Sequence, residues 1–415
     1  MDRRDFLRMA AGMGAASLPW AGGVRPAQAG AGGRVLVVVF QRGGWDGLNV
    51  AVPYGDAAYY KLRPGIAVPP PSAGTAEAAL DLDGYFGFHP ALAPLLPLYR
   101  QGRVAVLPGV QYPGATRSHF QGQDIIENAS LQPTLNGWLA RYLMATSGAT
   151  PGAPERRAMC LTDGVPRSLA GSLQVPTFAD LAGLDLAATR EERDLFTAMI
   201  RARYGGEPRA DQPYAAKLHA AGRQLLADLE PLQAIGRRAA ENGAVYPASH
   251  FGRQMRQAAG LAKYRPGIEL VALNLGSWDT HNGQGGAQAD GRMSLLLREF
   301  AEAAAAFFTD LGPDAARVLL LAQSEFGRTA AENGSGGTDH GHASTWLAIG
   351  GGVRGGVYAA GWRGLKKDQL LEGRYVAHNT DFRDVYAEVL QRFLGLADAS
   401  LVLPGYPSKA VGFLG

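Results

Sequence analysis

Three glycine-flanked segments, far apart in the chain, carry the donors that a divalent cation needs. They are Gly43-Gly44-Trp45-Asp46-Gly47, Ser277-Trp278-Asp279-Thr280-His281 and Gly337-Thr338-Asp339-His340-Gly341-His342. Imidazole nitrogen with carboxylate oxygen suits zinc, and a more carboxylate-rich site suits magnesium, calcium or manganese. Each segment stands after a strand-like apolar run, and open α/β sheets converge their functional loops at the C-terminal ends of strands. The expectation is one composite metal site. Cys160 is the only cysteine, which excludes an internal disulfide, a thiolate zinc cluster and a four-cysteine iron-sulfur site.

Each candidate has a structural reading beside the chemical one. Asp46 sits among Gly43, Gly44 and Gly47, which let the backbone bend toward a ligand, yet an Asp there also satisfies turn or helix N-terminal amides. Asp279 and His281 are two residues apart, so in an extended chain they project to one side while Trp278 packs on the other. The competing reading is a structural Asp-His hydrogen bond. Glu325 ends the fourth strand-like run, and Arg328 either neutralises it or clamps a substrate oxyanion. Asp339, His340 and His342 lie on a glycine-rich loop whose ordering cost a bound metal would offset. Of the eight histidines, His281, His340 and His342 fall in these segments, His119 falls in the segment Thr116-Arg117-Ser118-His119-Phe120-Gln121, and His378 is a weaker fifth. His89, His219 and His250 read as structural or surface residues.

Ser118 precedes a helical run, and Ser118 with Gln121 fits a capping box. A hydroxyl at a helix N-terminus also stands in positive potential, where a phosphate or sulfate is bound and a deprotonated nucleophile is stabilised. Arg117 and His119 add cationic or hydrogen-bonding contact.

The elements that must position these residues alternate. Apolar runs at 34–40, 104–107, 270–275, 318–322 and 345–349 lack polar alternation, as strands covered on both faces do. Helical spacing of apolar residues marks 91–101, 120–129, 291–311 and 381–394. This order predicts an α/β fold, a three-layer sandwich around a central, mostly parallel sheet. Residues 188–262 read as a helical insertion and 64–79, with four prolines, as a surface loop. With 47% hydrophobic and 19% charged residues in 415, the chain has material for a large core.

Arg3-Arg4-Asp5-Phe6-Leu7-Arg8, a mild apolar run and Ala27-Gln28-Ala29 read as a twin-arginine export signal over 1–29, which predicts a periplasmic or secreted protein that meets the twin-arginine translocase. Taking Arg3, Arg4, Arg8 and Arg25 from 40 basic residues, and Asp2 and Asp5 from 37 acidic ones, leaves 36 against 35. A near-neutral remainder without a basic, aromatic-interleaved stripe argues against a nucleic-acid partner, and no transmembrane helix is expected in it.

Taken with Arg117-Ser118-His119-Phe120 and Ser324-Glu325-Phe326-Gly327-Arg328-Thr329, these segments resemble a bacterial family known as domain of unknown function 1501, over nearly the whole mature chain. That family is similar to the alkaline phosphatase and sulfatase superfamily. The resemblance implies an alkaline-phosphatase-like fold with one or two divalent metals at the C-terminal edge of the sheet, and Ser118 as nucleophile. It implies Asp46, Asp279, His281, Asp339 and His340 as ligands, with Glu325 at a departing position and His342 or His378 last. Arg328, Arg117 and His119 would act on the anion. The implied function is an exported, metal-dependent hydrolase of phosphate or sulfate esters, acting on a small-molecule or polysaccharide substrate. A formylglycine sulfatase is disfavoured because its activation motif is missing. The alternative is a non-catalytic periplasmic or surface protein that keeps the fold and binds a carbohydrate or a protein partner. A twin-arginine redox enzyme comes third, since cysteine clusters and a Gly-x-Gly-x-x-Gly fingerprint are missing.

Overall fold

A computed structural model describes residues 33–147, 155–183, 189–206, 215–264 and 267–415. The expected export signal lies outside them.

The main sheet has eight strands. They are β1 Val35–Gln41, β2 Val104–Gln111, β3 Ala158–Leu161, β4 Leu270–Leu275, β5 Val318–Gln323 and β6 Ser344–Gly350, with the two-residue β7 Gly356–Val357 and β8 Thr380–Asp381. Their order across the sheet is β7-β2-β6-β5-β1-β4-β3, and β8 also pairs with β2. All seven residues of β1 are buried, the consequence of its central place between β5 and β4, with which it pairs in parallel.

Alternation along β1 divides the core in two. Val35, Val37 and Val39 pack with Met255 and Phe300, which belong to α5 His250–Tyr264 and α6 Arg292–Leu311 as numbered after α1 His119–Asn128, α2 Trp138–Ser147, α3 Arg190–Tyr204 and α4 Ala215–Arg237. Leu36, Val38 and Phe40 point the other way, to Ile126 of α1, Trp138 of α2 and Tyr386 of α7 Phe382–Glu388. Helices on both faces of one sheet make three layers, as the sequence predicts.

The sheet is mixed, and the exception positions the site. β6 runs antiparallel to both β2 and β5, while β1, β4 and β5 run together. The chain between β5 and β6 therefore turns back at a single edge of the sheet, beside the ends of β1 and β4. That turn, 324–343, holds Glu325, Arg328, Asp339, His340 and His342.

Three strands of the main sheet escape the sequence reading, as does α2. β3 is four residues, β7 and β8 are two each, and runs so short have no period to detect. The described residues of 188–262 are helical or irregular, but α5 is part of the core layer, its Met255 and Leu261 buried against the sheet. α3 and α4 pack mainly on each other.

Phe300 is fully buried and meets Trp45 edge to face at 5.9 Å. Phe300→Ala is expected to cost about 3–5 kcal/mol in urea unfolding, against roughly 0.5 kcal/mol or less for Phe120→Ala, whose ring is 89% exposed.

Candidate metal centre

The loops that follow β1, β4 and β5 are tied together by one side chain. Arg328 is buried and donates to the carbonyls of Gly43, Gly44, Trp278 and Thr338 and to the Asp279 carboxylate. Gly43 has φ +114, and a Cβ there would stand 2.7 Å from the Asp279 nitrogen, so only glycine lets the first loop approach the second this closely. Ser277 takes a left-handed φ of 73° as the chain leaves β4, a conformation non-glycine residues adopt at some energetic cost.

On this frame three imidazoles and a carboxylate converge. His281 Nε2 and His340 Nε2 lie 3.1 and 3.2 Å from Asp279 Oδ1, and His119 Nε2 lies 3.5 Å from Oδ2. Ligand atoms of His119, Asp279 and His340 all fall within 4.8 Å of one another. Donors about 2.0–2.1 Å from a tetrahedral zinc are separated by about 3.3 Å, close to each of the three pairwise distances to Asp279, and His281 stands beside the mutually close group of His119, Asp279 and His340. Asp279 is 44% exposed and His281 38%, which leaves one side open to an incoming ligand.

The other nitrogen of every ring is held by an acceptor. His119 Nδ1 donates to Glu325 Oε1 at 2.8 Å, His281 Nδ1 to Asp339 Oδ1 at 3.1 Å and His340 Nδ1 to the Arg117 carbonyl at 2.8 Å. Because these partners only accept, each Nδ1 carries a proton, so that in the neutral form of each ring the Nε2 lone pair is directed inward. His281 Nε2 and His340 Nε2 are 3.1 Å apart, a repulsive approach of two lone pairs until a proton or a metal ion stands there. His119 Nε2 is buried and makes no hydrogen bond among the described residues.

The electrostatics follow. Burial raises Asp279, but its bond and charge pairing with Arg328, helped by His281 and His119, prevail and hold it at about 2. Hydrogen bonding to Glu325 outweighs burial and raises His119, whereas burial lowers His340. Glu325 is itself buried, yet bonds from His119, Gln123 and the Gly43 amide keep it below its usual range. Asp339 is lowered by Asn333 first and then by His281.

The remaining expected residues are placed otherwise. Asp46 does not join the cluster: both its oxygens are held by Arg63, at 2.5 and 3.0 Å, with Gln284 Nε2 at 2.6 Å, in a fully buried pair. A carboxylate already neutralised and desolvated in this way is structural. Glu325 and Asp339 stand behind His119 and His281 instead of beside them. Arg328 is buried, with Nε, Nη1 and Nη2 all bonded to backbone carbonyls or Asp279, so it positions the site. His342 Nε2 faces His378 Nδ1 at 3.1 Å, with burial first and its neighbour His378 second bringing it to about 4. Ser118 is the N-cap of α1, but its side chain makes no cap hydrogen bond, and Gln121 Oε1 accepts from Thr116 Oγ1. The capping box is not formed. Arg63, Gln284 and Gln123 escaped the sequence reading. Only Gln284, a polar residue in a glycine-rich loop, gave any local signal.

Replacing the carboxylate behind His119 tests this arrangement. Glu325→Gln is expected to weaken zinc binding by about 10–100-fold in a competitive chelator titration. In the parent protein affinity falls as pH drops through the raised His119 pKa, since a metal must displace that proton. In the variant this fall moves to lower pH.

A family model described as protein of unknown function, DUF1501, matches residues 88–405, which include every residue of the cluster but not Asp46. No curated protein matches. Among solved structures, the chain is similar to the C-terminal periplasmic domain of EcEptC from Escherichia coli in complex with Zn, at 10% identity over 93% of this chain and 93% of that one, with a TM-score of 0.37. It is also similar to the phosphonate monoester hydrolase of Agrobacterium radiobacter, at 10% identity over 91% and 79%, with a TM-score of 0.33. Likeness at these scores carries no argument about chemistry.

Proposed function

The chain belongs to the DUF1501 family, and from that premise and the donors gathered at the sheet edge we propose an exported, metal-dependent hydrolase of phosphate or sulfate esters. The observation that carries the reading is the inward convergence of three Nε2 atoms on Asp279, with every Nδ1 fixed from behind. Such a set suits zinc. His119, Asp279, His281 and His340 would hold the ion, and Glu325 and Asp339 orient two of the rings. When bound, the ion supplies Lewis acidity toward a non-bridging oxygen of the ester.

The rest falls to the protein's own residues. Ser118, next to the ligand His119, keeps a hydroxyl that is not spent on capping, at the N-terminus of a ten-residue helix whose potential favours its deprotonation. Its Oγ would form a bond to phosphorus or sulfur as the bond to the alcohol oxygen breaks, and the Ser118 proton leaves with the alcohol. Water then cleaves the Ser118 ester, returning the hydroxyl and releasing phosphate or sulfate. Asp279 stays ionised throughout, because Arg328 holds it at about 2. Among the described residues no helix is long and apolar enough to cross a membrane, which is compatible with export of the folded chain through the twin-arginine translocase.

Ser118 separates this reading from that of a non-catalytic carbohydrate- or protein-binding module. Ser118→Ala is expected to abolish turnover of aryl phosphates and sulfates by zinc-loaded protein while leaving zinc content and melting temperature unchanged. The absent cap bond makes the usual cost of about 1 kcal/mol inapplicable. Full turnover in the variant would reject Ser118 as nucleophile.

A further inference from the structure

With Arg328 sequestered, two cations that face solvent beside the centre are Arg117 and Arg374. Both guanidinium groups stand over one ring: their Cζ atoms are 4.4 and 5.6 Å from the centroid of Tyr375. Tyr375 is 6% exposed and its backbone pairs with Thr329, next to Arg328. Stacking on a fixed aromatic face orients a guanidinium while leaving its edge donors free.

Each arginine is also wired to a metal-site histidine. The Arg117 carbonyl accepts from His340 Nδ1, and Arg374 Nη2 donates to Asp339 Oδ2 at 3.1 Å, whose other oxygen accepts from His281. Their carboxylate partners are exposed: Glu372, 3.5 Å from Arg117 and 59% exposed, and Asp339, 41% exposed. Pairs so open to water hold an arginine weakly and yield to a better-matched anion. We propose that Arg117 and Arg374 form a second anion subsite on the rim of the metal centre, so that the ester accepted there carries an additional anionic group, carboxylate or phosphate, on its organic part. This deepens the hydrolase reading, on which it rests, by naming the substrate class.

The test uses two non-hydrolysable probes, phenylphosphonate and 4-carboxyphenylphosphonate, titrated calorimetrically into the zinc-loaded full-length chain, so that binding is read apart from turnover. The carboxylated probe is expected to bind about tenfold more tightly, the equivalent of one charge-assisted hydrogen-bonded contact, with the preference shrinking as salt is raised. Arg117→Gln with Arg374→Gln, compared with the parent at equal zinc loading, should bring the ratio close to one, and Glu372→Gln, which frees Arg117, should widen it. Equal binding of the two probes by the parent protein, or a preference that survives the double substitution, would overturn the subsite. A preference found in protein that turns over neither phenyl phosphate nor 4-carboxyphenyl phosphate would keep the subsite and reject the hydrolase.

Discussion

The site depends on the need to satisfy one buried cation. Arg328 lies in the interior where an unpaired charge costs several kcal/mol, and among the described residues its one anionic partner is Asp279. Its remaining hydrogen bonds go to carbonyls on the loops after β1, β4 and β5. Those loops must take the positions that complete its coordination, and Asp279 must point where the guanidinium is. The carboxylate at the heart of the cluster is thus placed by folding before any ligand arrives.

A second buried pair, Asp46 with Arg63, does the same on the far side of the β1 loop. Arg63 also donates to the carbonyls of Ala330 and Thr329, so the start of the 324–343 turn is fastened from both directions. Between these two clamps the imidazoles are left with one free nitrogen each. A site in which Nδ1 of every histidine is already bonded has paid its orientation cost in the folded state, which favours ion binding over rearrangement. The antiparallel β6 makes this possible, because it brings the long turn back to the edge where β1 and β4 end.

Much of this was legible in the sequence, and the limits have physical causes. Unalternating apolar runs gave five strands and the three layers, because a strand buried on both faces has no polar face to confuse it with a loop. Asp279, His281 and His340 were legible as candidate ligands on glycine-rich loops, whereas His119, at the start of a helix, read as a contact to the anion. The rank of each donor was not. A carboxylate that binds an ion and one that steers a histidine look alike in sequence, so Glu325 and Asp339 read as ligands, whereas the fold sets them on the Nδ1 atoms of His119 and His281. Asp46 read as a ligand because its partner Arg63 is 17 residues away with no spacing rule to link them. Arg328 read as a substrate clamp because burial and backbone acceptors leave no mark on the chain. Ser118 read as half of a capping box, and the fold instead gives Gln121 to Thr116.

Elemental analysis of protein purified after export tests the central claim most directly, that Asp279 and the three Nε2 atoms exist to hold an ion. A divalent metal, zinc foremost, in stoichiometric amount and lost from a His281→Ala, His340→Ala variant that still folds, is the predicted result. Protein that is metal-free as isolated and takes up none of zinc, magnesium, calcium or manganese would contradict it, leaving the cluster as a proton-sharing histidine pair.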